Sequence, residues 1–280
     1  MPTAAELLEQ GNHAEAINRV RQDLAQNPAD AESRMLLFQL LVEAEDLDGA
    51  RSELTRIVAT TPPSYAEALS PWEGLLAAAR IRLTFTATGE GQVVVLPALK
   101  VPTYMQQFGD ASAHLRAGEF EKAAALLEAG WRDVPQVSGS VDGERFVDLR
   151  DSDDILGPFL EVLLPSPAAY VWVPWEQIQQ IEILVPAAIW IPARLVTKGG
   201  PEGQVFIPPL YSGTGGRDDT LRLGRGTVWE TRGSIRRGYG QRDLAYETAN
   251  GASGPVPFVS SRGTTMTVKG IREISTITFD

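Results

Sequence analysis

The chain has 280 residues, 43% of them apolar and 22% charged, enough for one large domain or two ordinary ones around a core that needs no disulfide. It has no cysteine and only two histidines, His13 and His114, which excludes thiolate metal sites and cysteine nucleophiles and leaves little room for Ser-His-Asp or zinc chemistry. Its 36 acids against 25 bases give a net charge of −11, which argues against nucleic acid and anionic membrane surfaces as partners.

The start, Met1-Pro2-Thr3-Ala4-Ala5-Glu6, lacks the basic and apolar regions of a secretory leader. No run approaches the roughly 18 apolar residues that cross a bilayer. The chain therefore reads as cytoplasmic. Residues 1–135 are rich in Ala, Leu and Glu, carry a net charge of −8, and hold only 8 of the 26 glycines.

This half contains a repeated turn. Its copies are Gly11-Asn12-His13-Ala14-Glu15-Ala16, Glu45-Asp46-Leu47-Asp48-Gly49-Ala50 and Gly118-Glu119-Phe120-Glu121-Lys122-Ala123. A proline follows the last Ala of each copy at one constant spacing: Pro28, Pro62 and Pro135. The step from Ala16 to Ala50 equals the step from Pro28 to Pro62. A small Ala lets paired helices approach closely, the proline ends each unit, and Val20, Leu24, Leu54, Val58 and Leu127 extend a buried face. The pattern and its period resemble the tetratricopeptide repeat; an ordinary helical-hairpin bundle is the plainer alternative. His13 stands where Leu47 and Phe120 stand in the other copies, so it reads as a packing residue. The step from Ala50 to Ala123 slightly exceeds two periods, which implies a short insertion. The β-branched, glycine-containing run 84–92 is expected to hold that insertion and to break the helix before it.

A polar linker, Val134 to Ser140, divides the chain into a helical domain, 1–135, and a β-rich domain, 136–280. Expected strands are Tyr170–Trp175, Ile178–Val185, Ile189–Val196, Gln204–Ile207 and Ile271–Phe279, in a mostly antiparallel sheet or small barrel. The run 153–163 has room for one helical turn. In a regular strand, Trp172 and Trp175 face opposite ways, and burying both requires a second packed layer or a partner. The fold class is thus α+β with two domains, tetratricopeptide-like helical repeats followed by a mostly antiparallel β-rich half.

The chemical motifs are weak. Gly213-Thr214-Gly215-Gly216-Arg217 lacks the Lys-Ser/Thr of a P-loop, and Gly224-Arg225-Gly226 and Gly238-Tyr239-Gly240 read as bends. Gly251-Ala252-Ser253-Gly254 is not a nucleophile elbow and reads as a surface loop. The acid cluster 148–154 fails the EF-hand pattern; Asp153 or Ser152 as a cap of the following turn explains it better than a cation. Asp218 and Asp219 beside Arg222 and Arg225 suggest surface ion pairs, with Arg222 on a strand opposite Leu221 and Leu223. A carboxylate hydrolase using Asp151, Asp153, Asp154 and Glu176 is a minor alternative. So is a homo-oligomeric scaffold, which an exposed Trp175 or Trp190 would favour.

The order of motifs resembles the ImpE (TagJ, SciE) family of accessory proteins of bacterial type VI secretion systems. The resemblance lies in Arg150-Asp151-Ser152-Asp153-Asp154-Ile155-Leu156-Gly157-Pro158, Val171-Trp172-Val173-Pro174-Trp175-Glu176-Gln177-Ile178 and Ile189-Trp190-Ile191-Pro192-Ala193-Arg194-Leu195. It continues in Gly203 to Tyr211, Asp218-Asp219-Thr220-Leu221-Arg222-Leu223-Gly224-Arg225 and Gly240-Gln241-Arg242. It implies a cytoplasmic accessory protein with no catalytic residues, cofactor or metal. Its implied partner is the N-terminal helical segment of the small contractile-sheath subunit, with an indirect effect on recycling by the AAA+ unfoldase. The candidate interaction or family-motif residues are Asp153, Asp154, Trp172, Trp175, Glu176, Trp190, Arg194, Tyr211, Asp218, Asp219 and Arg222. The oligomeric state stays open.

Overall fold

The computed structural model describes residues 1–60, 62–90, 93–96, 99–185, 189–248, 269–270 and 274–280. The protein is α+β, with helices first and strands after. The helices are α1 (Ala4–Glu9), α2 (His13–Gln26), α3 (Ala31–Glu43), α4 (Leu47–Thr60), α5 (Pro63–Thr88), α6 (Thr103–Arg116) and α7 (Phe120–Trp131). Thr3 opens α1 with a reciprocal capping box, and the Asp30 carboxylate caps α3. The pairs α1–α2, α3–α4 and α6–α7 are antiparallel hairpins. Their repeated alanines, Ala16, Ala50 and Ala123, have no exposed surface; a larger residue there would push the helices apart.

The strands are β1 (Gly139–Val141), β2 (Glu144–Asp151), β3 (Phe159–Pro165), β4 (Ala168–Pro174), β5 (Ile178–Ile183), β6 (Ile191–Thr197) and β7 (Glu202–Ile207). After the short helix α8 (Asp219–Arg222) come β8 (Thr227–Arg232), β9 (Ile235–Gly240), β10 (Asp243–Thr248), β11 (Lys269–Gly270) and β12 (Thr276–Phe279). Among the described residues, ten strands form one sheet in the order β11-β10-β2-β1-β12-β5-β6-β7-β3-β4, and β8 and β9 form a separate hairpin. The paired strands are antiparallel.

Two cores lie on the two faces of this sheet. On one face Phe159, Leu163, Tyr170, Trp172 and Trp190 join the helix residues Phe38, Leu75, Tyr104 and Phe108 in a single apolar cluster. On the other, Leu160, Val162, Val171, Val173 and Trp175 meet Phe146, Tyr246, Ile277 and Phe279 from strands far along the sheet. The sheet therefore curls round its own core while the helices cover its outer side. Alternation along β4 places Trp172 in the first core, and Trp175 just after the strand enters the second. Trp172 stacks on Phe159 at 4.9 Å and Trp175 on Phe279 at 6.0 Å. The second packed layer that two buried tryptophans require is thus the protein's own.

Several local expectations are corrected, and Val58, expected on the buried face, is exposed. The run 84–92 ends α5 only at Gly89, with a left-handed φ of 79°, and the β-branched residues before it stay helical to Thr88. Packing overrides β-branching here: Phe85 sits against Tyr170 and Trp172, and the Thr86 and Thr88 hydroxyls bond to carbonyls one turn back. Arg222 lies on α8, not on a strand, because the Asp218 carboxylate accepts from Leu221 N–H and starts a helix. The run 153–163 makes a turn and then β3, whose first five residues are all buried; with both faces covered, the period of two disappears. Residues 271–273 and the Gly251–Gly254 segment lie outside the described residues.

Candidate functional site: an ionic seam and an uncovered groove

Where the helices meet the sheet, the interface carries charge. Arg82 of α5 reaches Glu161 of β3 through Nε at 3.2 Å and Nη2 at 2.9 Å, and Nη2 also donates to the Leu210 carbonyl. Arg242 donates to Asp151 at 2.7 and 3.1 Å, and its Nη1 lies 3.4 Å from Glu161. Tyr170 O–H donates to Glu161, Trp172 Nε1 donates to Tyr170 Oη at 2.6 Å, and Tyr211 O–H donates to Asp151 at 2.8 Å. Burial alone would raise the Glu161 carboxyl; Arg82 and Arg242 outweigh it and hold it at about 2. Asp153 has no exposed surface and continues the network: it accepts from Arg237 Nε at 2.7 Å, from Gly238 N–H, and from the Ile155 and Leu156 N–H groups of the turn it caps.

The turns of the helical hairpins are fastened to the segment 211–240. Asp219 accepts from Ala14 N–H in the first turn of α2, a helix whose own Asn12 makes no side-chain cap. Arg225 donates to the Leu8 and Glu9 carbonyls. Glu45, in the α3–α4 turn, accepts from Gly213 N–H at 2.8 Å and Gly215 N–H at 3.0 Å. The glycine loop that lacks P-loop chemistry is thus an anion cradle for an internal carboxylate. A Cβ on Gly215 would fall 2.3 Å from the Ala44 carbonyl, and one on Gly233 would fall 2.7 Å from Phe120, at the start of α7. All three hairpin turns therefore approach one stretch of chain.

The motif residues divide among these features. Asp153 and Tyr211 lie in the ionic seam. Asp154, whose carboxyl burial raises, accepts from Arg236 N–H at 2.6 Å. Trp172 and Trp175 are core residues with bonded indoles, Trp175 Nε1 donating to the Gly157 carbonyl. Trp190 is buried between Phe38 and Trp72. Glu176 accepts from Tyr104 O–H of α6 at 2.6 Å. Asp218 and Asp219 serve as caps and Arg222 pairs with Asp219 at 3.0 Å. Arg194 stands apart on the exposed face of β6, paired with Glu202. The tryptophans thus offer no exposed patch, and Asp151, Asp153, Asp154 and Glu176 are each engaged by an internal donor. Among the described residues, no cluster of three or more metal-ligating side chains occurs. His13 is fully buried with Nε2 3.2 Å from Glu43. Arg82, Glu161 and Arg237 are absent from the sequence candidates; the charge at Glu161 inside an otherwise apolar run was the available signal.

Outside this packed interior lies a groove of about 610 Å³ between α4 and α5. Leu47, Leu76, Ala77 and Ile81 line it together with Gly74 and Thr84, and Arg51, Glu73, Arg80 and Glu90 border it. Arg80 is paired with Asp48 across the two helices. A second groove, about 470 Å³, separates α7 from the β8–β9 tip and is lined by Phe120, Ala124, Ala125 and Gly233 between Glu121 and Glu128.

Comparison with known proteins agrees with both halves. Residues 143–253 match the family described as ImpE protein, and residues 7–70 match the tetratricopeptide repeat. The chain is 29% identical over 234 residues to the type VI secretion system accessory component TagJ of Pseudomonas aeruginosa, covering 81% of this chain and 80% of that one. The crystal structure of protein VPA1032 from Vibrio parahaemolyticus has the same fold, with a TM-score of 0.82 at 19% identity over 99% of this chain and 97% of that one. Among the described residues no helix is long and apolar enough to cross a membrane. Over residues 143–253 the chain is similar to the ImpE family.

Proposed function

We propose that this protein is a non-enzymatic accessory component of a bacterial type VI secretion system, acting in the cytoplasm as an adaptor. In this reading residues 1–135 are a helical docking module and residues 136–280 an ImpE-type β-rich module that holds it. The partner is the N-terminal helical segment of the small contractile-sheath subunit, and docking there influences recycling of the sheath by the AAA+ unfoldase. The observation that carries the reading is the similarity to TagJ over four-fifths of both chains. Two features support it. The carboxylates an acid–base enzyme would use are engaged by Arg242, Arg237, the Arg236 amide and Tyr104. The helical half bears most of the negative charge, which suits a basic or amphipathic segment.

Pull-down of the sheath subunits on the immobilised protein tests this. Capture of the small subunit, lost when its N-terminal segment is deleted, is the expected result. Undiminished capture after that deletion contradicts helix docking, and a failure to capture the intact subunit contradicts the sheath as partner.

A further inference from the structure

The repeat arithmetic and the helices do not match in one place. Ala50 and Ala123, which mark the second and third copies of the turn, lie more than two periods apart, so the interval has room for one further two-helix unit. Among the described residues, that interval contains a single long helix, α5 (Pro63–Thr88), before α6 begins at Thr103. Among the described residues, the chain after Gly89 does not turn back as a helix. It runs past β4 instead, where Val94 makes a parallel bridge to Val171, its N–H donating to the Tyr170 carbonyl. Among the described residues, the unit built on α5 thus has a first helix and no second.

One side of α5 is fully used. Leu75 and Ala78 lie in the core shared with the sheet, Phe85 packs on Tyr170 and Trp172, Arg82 pairs with Glu161, and at Gly74 the helix lies so close that a Cβ would come within 2.0 Å of the Pro165 carbonyl. The opposite side, with Glu73, Ala77 and Arg80 exposed, opens into the 610 Å³ groove beside α4. Leu47 and Leu76 floor it, and the small Ala77 leaves room for a close approach, as the alanines do within the hairpins. Arg51 borders the groove on the α4 side, near enough to Asp48 to help lower its carboxyl, and Glu73 and Glu90 border it on the α5 side. A repeat array buries its apolar faces only by stacking the next helix on them.

We propose that this groove takes an amphipathic α-helix from the partner, which completes the α5 unit as its missing second helix. The helix has an apolar stripe over Leu47, Leu76 and Ile81, with small residues where it crosses Ala77. It carries acid on the edge beside Arg51 and base on the edge beside Glu73 and Glu90. The inference rests on the helix-docking reading above and names where and how that docking occurs.

The test is a fluorescence-anisotropy titration of the labelled N-terminal segment of the small sheath subunit against the full chain and three variants. Ala77→Trp fills the groove from an exposed position, Ala77→Ser keeps it open, and Ala125→Trp fills the other groove, on α7. Circular dichroism of each variant alone checks the fold. The expected result is binding by the wild type and by the Ala77→Ser and Ala125→Trp variants, with at least about tenfold weaker binding by Ala77→Trp, and a gain of helix in the segment on binding. Equal binding by the wild type and Ala77→Trp overturns the groove assignment and leaves helix docking standing, as does selective loss in Ala125→Trp. No binding to the wild type overturns both.

Discussion

Arg82, Glu161 and Arg242 show how charge holds a boundary that apolar packing alone leaves unspecific. Each guanidinium has a carboxylate partner, and Tyr170 and Tyr211 take up remaining acceptor capacity. Breaking a buried pair leaves a charge without its partner, at a cost of about 3–5 kcal/mol. Glu161→Gln should therefore lower unfolding stability by about that amount in urea denaturation, and a loss under about 1 kcal/mol would contradict the network's role. The pH dependence follows from the lowered carboxyl. Glu161 titrates at about 2 in the folded chain against 4.5 as the reference. The unfolded chain thus takes up its proton first as pH falls. The stabilisation is full above 4.5 and is lost as pH drops through about 2, a change of about 3 kcal/mol. Asp280, held at about 2 by Arg145 and Ser138, acts in the same window. Glu161→Gln should flatten the fall in stability between pH 4.5 and 2 without abolishing it.

At the scale of elements, close approach outranks intrinsic preference. Gly74 lies inside α5, where alanine would raise helix propensity by about 1 kcal/mol. Its Cβ would meet the Pro165 backbone at 2.0 Å, so Gly74→Ala should instead destabilise by about 1–3 kcal/mol, read as a lower urea midpoint. The same competition explains what the sequence made legible. The repeated alanines and prolines locate the hairpins because they act through short-range geometry. Strands β4 to β7 are visible because β-branched runs are bounded by Pro and Gly. β3 is hidden because α5 covers its outer face. The length of α5 is hidden because Phe85 gains its packing from Tyr170 and Trp172, on a strand in the other half of the chain. α8 depends on the Asp218 cap, whose pattern in the sequence is shared with an exposed strand.

At the scale of the whole molecule, the family motifs of the β-rich half prove to be largely internal. Asp219 and Arg225 fasten α1–α2, Gly213 and Gly215 fasten the α3–α4 turn, and Asp153, Arg237 and Arg242 tie β9 and the start of β10 to the sheet. Their type and order were readable from the chain; that they look inward was not, because burial of a charged side chain depends on partners contributed by distant segments, Arg82 for Glu161 above all. The face of α5 beside α4 is outward, as are the α7 groove and Arg194. In the proposed function the chain works by contact with a sheath helix. Calorimetric titration of the intact chain with the full-length small sheath subunit, and with the same subunit lacking its N-terminal segment, tests it most directly. Saturable one-to-one binding of the first and none of the second is the predicted result. Equal binding of the two, or heat from neither, would contradict it.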